Sequence, residues 1–108
     1  MTERPRRLAA HEIDAVTALA RTVWQATYPA LICQAQIDYM LADRYAAPRI
    51  RAQLDDPRHA WWVAGQPPAG FAHALLDDAG AKLDKLYVHP ERQRRGIGAA
   101  LLATAAAW

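Results

Sequence analysis

Apolar residues recur every three or four positions over residues 11–28, and this spacing predicts an amphipathic first helix. Tyr28-Pro29 ends it, because the residue before a proline is pushed out of the helical region. A shorter apolar stripe over residues 37–41 predicts a second helix, and Pro48 suits the first turn of a third. The first half of the chain is therefore predicted to be mainly helical, after a short strand at Arg6–Ala10.

After the third helix the pattern changes to strands, in which apolar runs are separated by turn residues. Ala60–Ala64 is a predicted strand, and the breakers of Gly65–Gly70 form a turn before the strand Phe71–Leu76. A second turn, Asp77–Gly80, precedes a last strand at Leu83–Val88. Because short polar turns join antiparallel neighbours, these strands are expected to form hairpins.

A final helix rich in alanine and leucine is predicted from Gly96 onward, after His89-Pro90 has stopped the last strand. The order of elements indicates an α+β fold, with a mixed, mostly antiparallel sheet flanked by helices. At 108 residues the chain is expected to form a single domain over residues 1–108. The last helix stops at Trp108 without a glycine cap or a polar tail, which suggests a truncated chain or a missing packing partner.

Composition and charge exclude several classes of protein. Thirteen basic and eleven acidic residues leave a net charge of +2, which does not indicate a nucleic-acid-binding protein. Cys33 is the single cysteine, so an intramolecular disulfide and a cysteine-based zinc site are excluded, and the four histidines lack the spacing of metal ligands. Without a signal peptide or a long apolar run, a cytoplasmic protein with no membrane partner is expected.

Candidate chemistry is concentrated in Leu83–Leu102, which is predicted to form a strand, a basic loop and a helix that opens with two glycines. The first N–H groups of a helix have no partner within the helix and carry about half a positive charge. Gly96 and Gly98 leave these groups open to a ligand, and three arginines within residues 92–95 add positive charge. The sequence therefore predicts an anion-binding loop suited to a pyrophosphate.

Two common phosphate-binding motifs do not fit this loop. A Walker loop needs Gly-x-x-x-x-Gly-Lys-Ser/Thr, which the sequence lacks. The Rossmann fingerprint needs a small residue where Leu101 stands. Gln93–Gly98 instead resembles the Gln/Arg-x-x-Gly-x-Gly/Ala motif of the GNAT superfamily of acyl-CoA-dependent N-acetyltransferases. The preceding Leu86–Glu91 is similar to that family's strand-to-loop segment, and the upstream order of elements fits as well.

The resemblance implies an acetyl-CoA site and no metal. The edge of the last strand at Leu86 and Val88 would pair with the pantetheine arm as an added strand does. The motif begins at Gln93, and the backbone amides that follow would hold the pyrophosphate. These amides belong to Arg94, Arg95, Gly96, Gly98 and Ala99.

The resemblance also implies that an amine attacks the thioester directly in a ternary complex, without a nucleophilic side chain of the protein. Asp84 has the same strand parity as Leu86 and Val88, so we expect it on their face as a candidate general base. The alternative is an ordinary ion pair of Asp84 with a neighbouring lysine. Tyr28 resembles family positions that line the substrate pocket, although it could equally pack the helix end. Trp24 lies one turn before it and is expected in the same pocket.

Members of the family continue beyond the last helix with further strands, which leaves an alternative function open. The chain could be a non-catalytic CoA-binding or self-associating domain, in which a homodimer completes the sheet. Nucleic-acid binding through the arginine cluster is a weaker hypothesis. The acceptor is expected to be a small-molecule or peptide amine, and the sequence does not choose among arylamines, polyamines, antibiotics, amino acids and protein amines.

Overall fold

Four antiparallel strands form the sheet, and their order in the sheet is their order along the chain. The computed structural model describes residues 4–108. The first strand is shorter than the predicted Arg6–Ala10, because a 3-10 helix begins at Ala10. The Leu8 N–H still donates to the Trp61 carbonyl at 2.9 Å, which extends the pairing by one bond. The strands are β1 (Arg6–Arg7), β2 (His59–Ala64), β3 (Gly70–Asp77) and β4 (Gly80–Val88).

Helices cover both faces of this sheet. The sequence predicted α1 to end at Tyr28-Pro29 and Pro48 to lie in the first turn of α3, and both predictions are confirmed. The predicted α+β architecture, an antiparallel sheet flanked by helices, is also confirmed. The helices are α1 (Ile13–Thr27), α2 (Gln34–Arg44), α3 (Ala47–Leu54) and α4 (Ile97–Ala107), with 3-10 helices at Ala10–Glu12 and Pro90–Arg92.

The sheet face under α1, α2 and α3 carries the larger hydrophobic core. Alternation along β2 directs Trp61 and Val63 to this face and Trp62 to the other. Trp61 lies 6.2 Å from the ring of Phe71, which is fully buried. Apolar residues from all three helices complete this core, among them Val16, Val23, Ile37, Leu41 and Ile50.

Small residues line the opposite face, so that α4 packs close to the sheet. Its core is built from alanines of β2 and β3 together with Trp62, Ile97 and Leu101. A Cβ atom on Gly70 would lie 3.0 Å from side-chain atoms of both Ile97 and Leu101, and 3.2 Å from the Tyr87 carbonyl oxygen. The first residue of β3 must therefore be a glycine for α4 to sit where it does.

A β-bulge interrupts the pairing of β3 with β4. His73 faces Lys85 and Ala74 faces Leu83, which leaves Asp84 as the extra residue of β4. A bulge resets the alternation of side chains on its strand. Residues on either side of the bulge therefore cannot be assigned to a face by simple parity.

Candidate functional site

A cleft of about 530 Å³ lies where the carboxyl end of β4, the start of α4 and the end of α1 meet. Of the residues predicted to bind the cofactor, all except Arg95 line it. Val23 and Thr27 of α1 form its opposite wall. We call this space the β4–α4 cleft; it is lined by Val23, Thr27, Leu86, Tyr87, Val88, Gln93, Arg94, Gly96, Gly98 and Ala99.

The loop that enters α4 presents backbone N–H groups to this cleft. Gly96 caps the helix with a φ of 81°, and Arg94 has a φ of 67°, so the backbone turns twice through the left-handed region. The first helical bond runs from the Ala100 N–H to the Gly96 carbonyl at 3.0 Å. The amides of Gly98 and Ala99 precede that bond and have no acceptor within the helix. Together with the Arg94 side chain, they give this end of the cleft a positive potential.

The outer edge of β4 borders the same cleft. The His89 N–H donates inward to the Ala69 carbonyl at 2.7 Å, whereas the Val88 carbonyl accepts a bond from Gln93 Nε2 at 3.2 Å. Strand alternation therefore turns the backbone groups of Leu86 and Val88 outward. Within residues 4–108, β4 has no partner strand on this side, so an extended ligand could pair with it.

A second space of about 620 Å³ opens between α1, α2 and the end of β4. Both residues predicted for the substrate pocket, Trp24 and Tyr28, line it, and their rings lie 4.6 Å apart. Tyr87 lines this space and the β4–α4 cleft, so the two adjoin at its ring. We call this space the α1–α2 pocket; it is lined by Trp24, Tyr28, Leu31, Ile32, Cys33, Gln36, Met40, Arg44 and Tyr87.

The hydroxyl groups of Tyr28 and Tyr87 meet at this junction, with their oxygens 3.3 Å apart. Burial, reinforced by the neighbouring Tyr28 hydroxyl, raises the pKa of Tyr87 above its ordinary value. The Tyr87 hydroxyl therefore stays protonated at neutral pH and is available as a hydrogen-bond donor where the two spaces join.

Asp84 does not share a face with Leu86 and Val88, so the parity argument that nominated it is wrong. The bulge turns its carboxylate toward α1–α3, where Oδ2 lies 2.5 Å from Lys85 Nζ and 3.4 Å from His73 Nδ1. Oδ1 lies 3.7 Å from Lys82 Nζ. Asp84 lines neither the β4–α4 cleft nor the α1–α2 pocket. Its role as general base stays a prediction, and the ion pairs named as the alternative are present.

Asp84 belongs to a polar cluster beneath the helices. His73 is 1% exposed, stacks on Trp61 at 4.4 Å, and joins His59 through a 2.9 Å contact between His73 Nε2 and His59 Nδ1. Lys85 is 8% exposed and lies 5.3 Å above the Trp61 ring. His73 and Lys85, the two buried polar side chains of this cluster, therefore each have polar and aromatic partners, as burial requires.

This environment fixes the charge states of the cluster. Burial, together with the positive charge of Lys85, lowers the pKa of His73 to about 4. Burial alone would raise the pKa of the Asp84 carboxyl, but the hydrogen bond and charge of Lys85 outweigh it and lower that pKa below its ordinary value. At neutral pH His73 is therefore neutral and Asp84 is ionised, which makes Asp84 a weak proton acceptor.

Two residues of the site were missed by the sequence analysis. Tyr87 was treated only as part of an apolar strand, although it follows Leu86 and precedes Val88, the two predicted edge residues. Arg44 ends α2 and had no motif around it. The alternation of β4 could have revealed Tyr87, because a residue between two edge positions points to the opposite face. Nothing in the sequence pattern signalled Arg44.

Residues 57–108 match the acetyltransferase (GNAT) domain family. This segment, just under half of the chain, contains β2, β3, β4 and α4, and with them the loop that lines the β4–α4 cleft. Residues 57–108 belong to the GNAT family, and the whole chain has its fold. The resemblance seen in Gln93–Gly98 is thereby confirmed.

Solved structures resemble this chain over nearly its full length. The PaiA N-acetyltransferase from Thermoplasma acidophilum, solved with coenzyme A, matches with a TM-score of 0.89 at 21% identity, over 99% of this chain and 71% of that one. A GCN5-related N-acetyltransferase from Rhodopseudomonas palustris matches with a TM-score of 0.79 at 20% identity, over 99% and 65%. AAC(6')-Iy, solved with the bisubstrate analogue CoA-S-monomethyl-acetylneamine, matches with a TM-score of 0.65 at 21% identity, over 96% and 69%.

The chain spans about two thirds of the length of these three proteins. No curated protein matches its sequence significantly. Each helix within residues 4–108 is too short or too polar to cross a membrane. In the same part of the chain, His, Cys, Asp and Glu side chains form no group of three or more that could hold a metal ion.

Proposed function

We propose that this protein is an N-acetyltransferase that moves an acetyl group from acetyl-CoA to an amine by direct attack in a ternary complex. The observation that carries the proposal is the β4–α4 cleft, in which the residues of the GNAT motif and the free edge of β4 line one space. The adjoining α1–α2 pocket gives a second substrate a place beside the first. A shared boundary at Tyr87 would bring the two reacting groups together.

The residues present fit acetyl-CoA in shape and in charge. The amides of Gly98 and Ala99, the left-handed cap at Gly96 and the Arg94 guanidinium suit a pyrophosphate. The outward backbone groups of Leu86 and Val88 suit the amides of a pantetheine arm. A Cβ atom on Gly98 would come to 3.5 Å from Val88 Cγ2, so the strand edge and the helix start are close enough to hold one ligand.

When bound, acetyl-CoA supplies a thioester whose carbonyl carbon bonds to the amine nitrogen as the carbon–sulfur bond breaks, which yields an amide and CoA. The strand edge holds the arm extended, and the helix start fixes its phosphate end. Tyr87 can donate a hydrogen bond at the junction, since its raised pKa keeps the hydroxyl protonated.

No Asp, Glu or His within residues 4–108 lines either space, so the proton of the attacking amine has no carboxylate or imidazole acceptor there. The nearby positive charge of Arg44 disfavours an ammonium in the α1–α2 pocket. The amine therefore enters the reaction deprotonated, and the proton it releases on bonding passes to solvent.

Replacing Gly96 by valine tests the proposal directly. A β-branched residue is strained at a φ of 81°, and the altered loop would turn its amides away from the cleft. We expect the Gly96→Val variant to bind acetyl-CoA at least about tenfold more weakly than the parent chain in calorimetric titration, since several charge-assisted bonds are lost.

Gly80→Val is the matched control. Gly80 also has a positive φ, 120°, but lies in the β3–β4 hairpin with nothing within 4 Å of an added Cβ. It should share the backbone strain and keep acetyl-CoA binding. Unchanged binding in Gly96→Val, or equal loss in both variants, would overturn the proposed site.

A second candidate function is self-association without catalysis. The observation in its favour is the apolar groove of about 220 Å³ between β4 and α4, where Leu83, Leu102 and Trp108 are 40%, 48% and 39% exposed. Exposed apolar surface beside an unpaired strand edge favours contact with a second chain. In that case a homodimer would cover the groove; the sequence analysis considered a homodimer that completes the sheet.

A further inference from the structure

The α1–α2 pocket is apolar at its wall and carries charge of one sign only. Trp24, Tyr28, Leu31, Ile32 and Met40 give it a broad hydrophobic surface. Leu31, which is 74% exposed, lies at its rim. Such a surface suits an acceptor with an aromatic or aliphatic body.

Among the described residues 4–108, Arg44 is the single charged residue that lines this pocket. No hydrogen bond or ion pair joins its guanidinium to any residue in the described range 4–108. By contrast, Arg21, Arg49 and Arg58 reach Asp38, Asp43 and Asp78 at 3.3, 3.4 and 3.8 Å. A guanidinium at a pocket wall with its donors unused matches the geometry of a carboxylate.

We infer that the acceptor is a small amine that also carries a carboxylate on an apolar or aromatic body, as in a free apolar amino acid. Arg44 binds the carboxylate, and the aromatic wall of Trp24 and Tyr28 binds the body. The amine then points to Tyr87 at the boundary with the β4–α4 cleft. This assignment rests on the proposed acetyltransferase function, because that function makes the α1–α2 pocket the acceptor site.

The same electrostatics exclude polycationic acceptors. A polyamine or an aminoglycoside would bring several ammonium groups to a pocket whose one charged side chain is positive and which, within the described chain, has no acidic lining residue. The carboxylate of the proposed acceptor instead pairs with Arg44, and this pairing offsets the cost of removing the carboxylate from water. Charge therefore selects the acceptor class, and the apolar wall selects its size.

Binding of matched ligand pairs tests this inference without requiring acetyl transfer. Phenylalanine is compared with phenethylamine, and 4-(aminomethyl)benzoate with benzylamine, by ligand-observed NMR on the 108-residue chain with and without CoA. Each pair differs by one carboxylate, at two distances from the amine. We expect at least one acid to bind about tenfold more tightly than its partner, and spermidine to bind more weakly than either acid.

Substitution of Arg44 identifies the residue responsible. Arg44→Gln should weaken binding of the acid about tenfold and so remove the preference for it. The amine of the pair that lacks the carboxylate should keep its affinity. Arg44→Glu should reverse the preference. Arg51→Gln is the matched control, because Arg51 is an exposed arginine of α3 that lines neither space.

The outcomes separate this inference from the proposed function. Acid binding that depends on Arg44 would support the inference even if the chain transferred no acetyl group. The absence of acetyl transfer would overturn only the proposed acetyltransferase function. Acetyl transfer to spermidine with no preference for acids would overturn the inference and keep the function. Binding of no ligand, or an acid preference that survives in Arg44→Gln, would also overturn the inference.

Discussion

At the scale of single residues, His73 is an ionisable group that folding removes almost completely from water. It is 1% exposed between Trp61, His59, Lys85 and Asp84. A proton added there would meet the positive charge of Lys85 in a low-dielectric surrounding. Its folded-state pKa of about 4 therefore lies below the ordinary value of 6.5.

This difference in pKa makes stability depend on pH. Between pH 6.5 and 4 the unfolded chain binds more protons at this position than the folded chain, so the free energy of unfolding falls as the pH falls. The loss is at most roughly 3 kcal/mol. We expect urea unfolding to show this decline between pH 7 and 4.5, and the His73 ring signals to titrate near pH 4 in NMR.

Replacing His73 by glutamine should flatten the pH dependence over this range. The exposed His11→Gln variant serves as control and should keep the slope of the parent chain. A His73 ring that titrates near 6.5, or a slope unchanged in His73→Gln, would contradict the assignment.

At the scale of residues, the sequence indicates a site where backbone geometry decides, and cofactor binding at that site stays a prediction. Gly96 and Gly98 were identified by what a missing side chain permits, and the structure places both in the cleft. Asp84 was assigned to the wrong face of the sheet, because one extra residue in β4 resets the alternation of side chains. The apolar pattern of a sequence does not reveal a bulge. Arg44 could be recognised as a site residue only from the structure, in which it lines the α1–α2 pocket with Tyr87.

At the scale of elements, the contact of α4 with the sheet depends on Gly70. An added Cβ would lie 3.0 Å from atoms of Ile97 and Leu101, and 3.2 Å from a backbone oxygen that cannot rotate away. We expect Gly70→Ala to lower the free energy of unfolding by about 1–3 kcal/mol, because overpacking forces α4 outward. Urea unfolding measures this loss.

Gly98→Ala provides the comparison within α4. Its Cβ would meet Val88 at 3.5 Å, an ordinary contact, and alanine favours a helix over glycine by about 1 kcal/mol. This variant should unfold at an equal or higher urea concentration than the parent chain. Equal stability of Gly70→Ala and the parent would show that α4 does not need the close approach.

Elements were predicted best where apolar spacing is regular. The four helices and three long strands of the described residues 4–108 were all expected, from the regular apolar spacing of α1 and from apolar runs bounded by turn and breaker residues elsewhere. β4 begins at Gly80 rather than Leu83, since its first residues are exposed and lack an apolar pattern. The pairing of β3 with β4 through Asp77 and Gly80 extends the strand where side chains give no signal.

At the scale of the whole molecule, the two faces of the sheet are covered unequally. The core residues on the α1–α3 face are buried. On the other face, the groove beside α4 leaves Leu83, Leu102 and Trp108 partly exposed. The solved GNAT structures that match are longer than this chain, which spans about two thirds of their length. The sequence alone could indicate an uncovered surface near Trp108 and the last strand, but it could not show the groove between β4 and α4.

This groove leads to a prediction about the 108-residue chain in solution. Burial of the groove and pairing of the β4 edge would both stabilise contact with a second copy of the chain. We therefore expect association that increases with concentration in sedimentation velocity.

Leu102→Lys places a charge in the groove and should shift the population to monomers. Tyr39→Lys is the control, because Tyr39 is 65% exposed on α2 and lines no cleft or groove named above. A parent chain that stays monomeric throughout, or equal association of Leu102→Lys and the parent, would rule out this surface as an interface and leave acetyl transfer by a monomer as the remaining hypothesis.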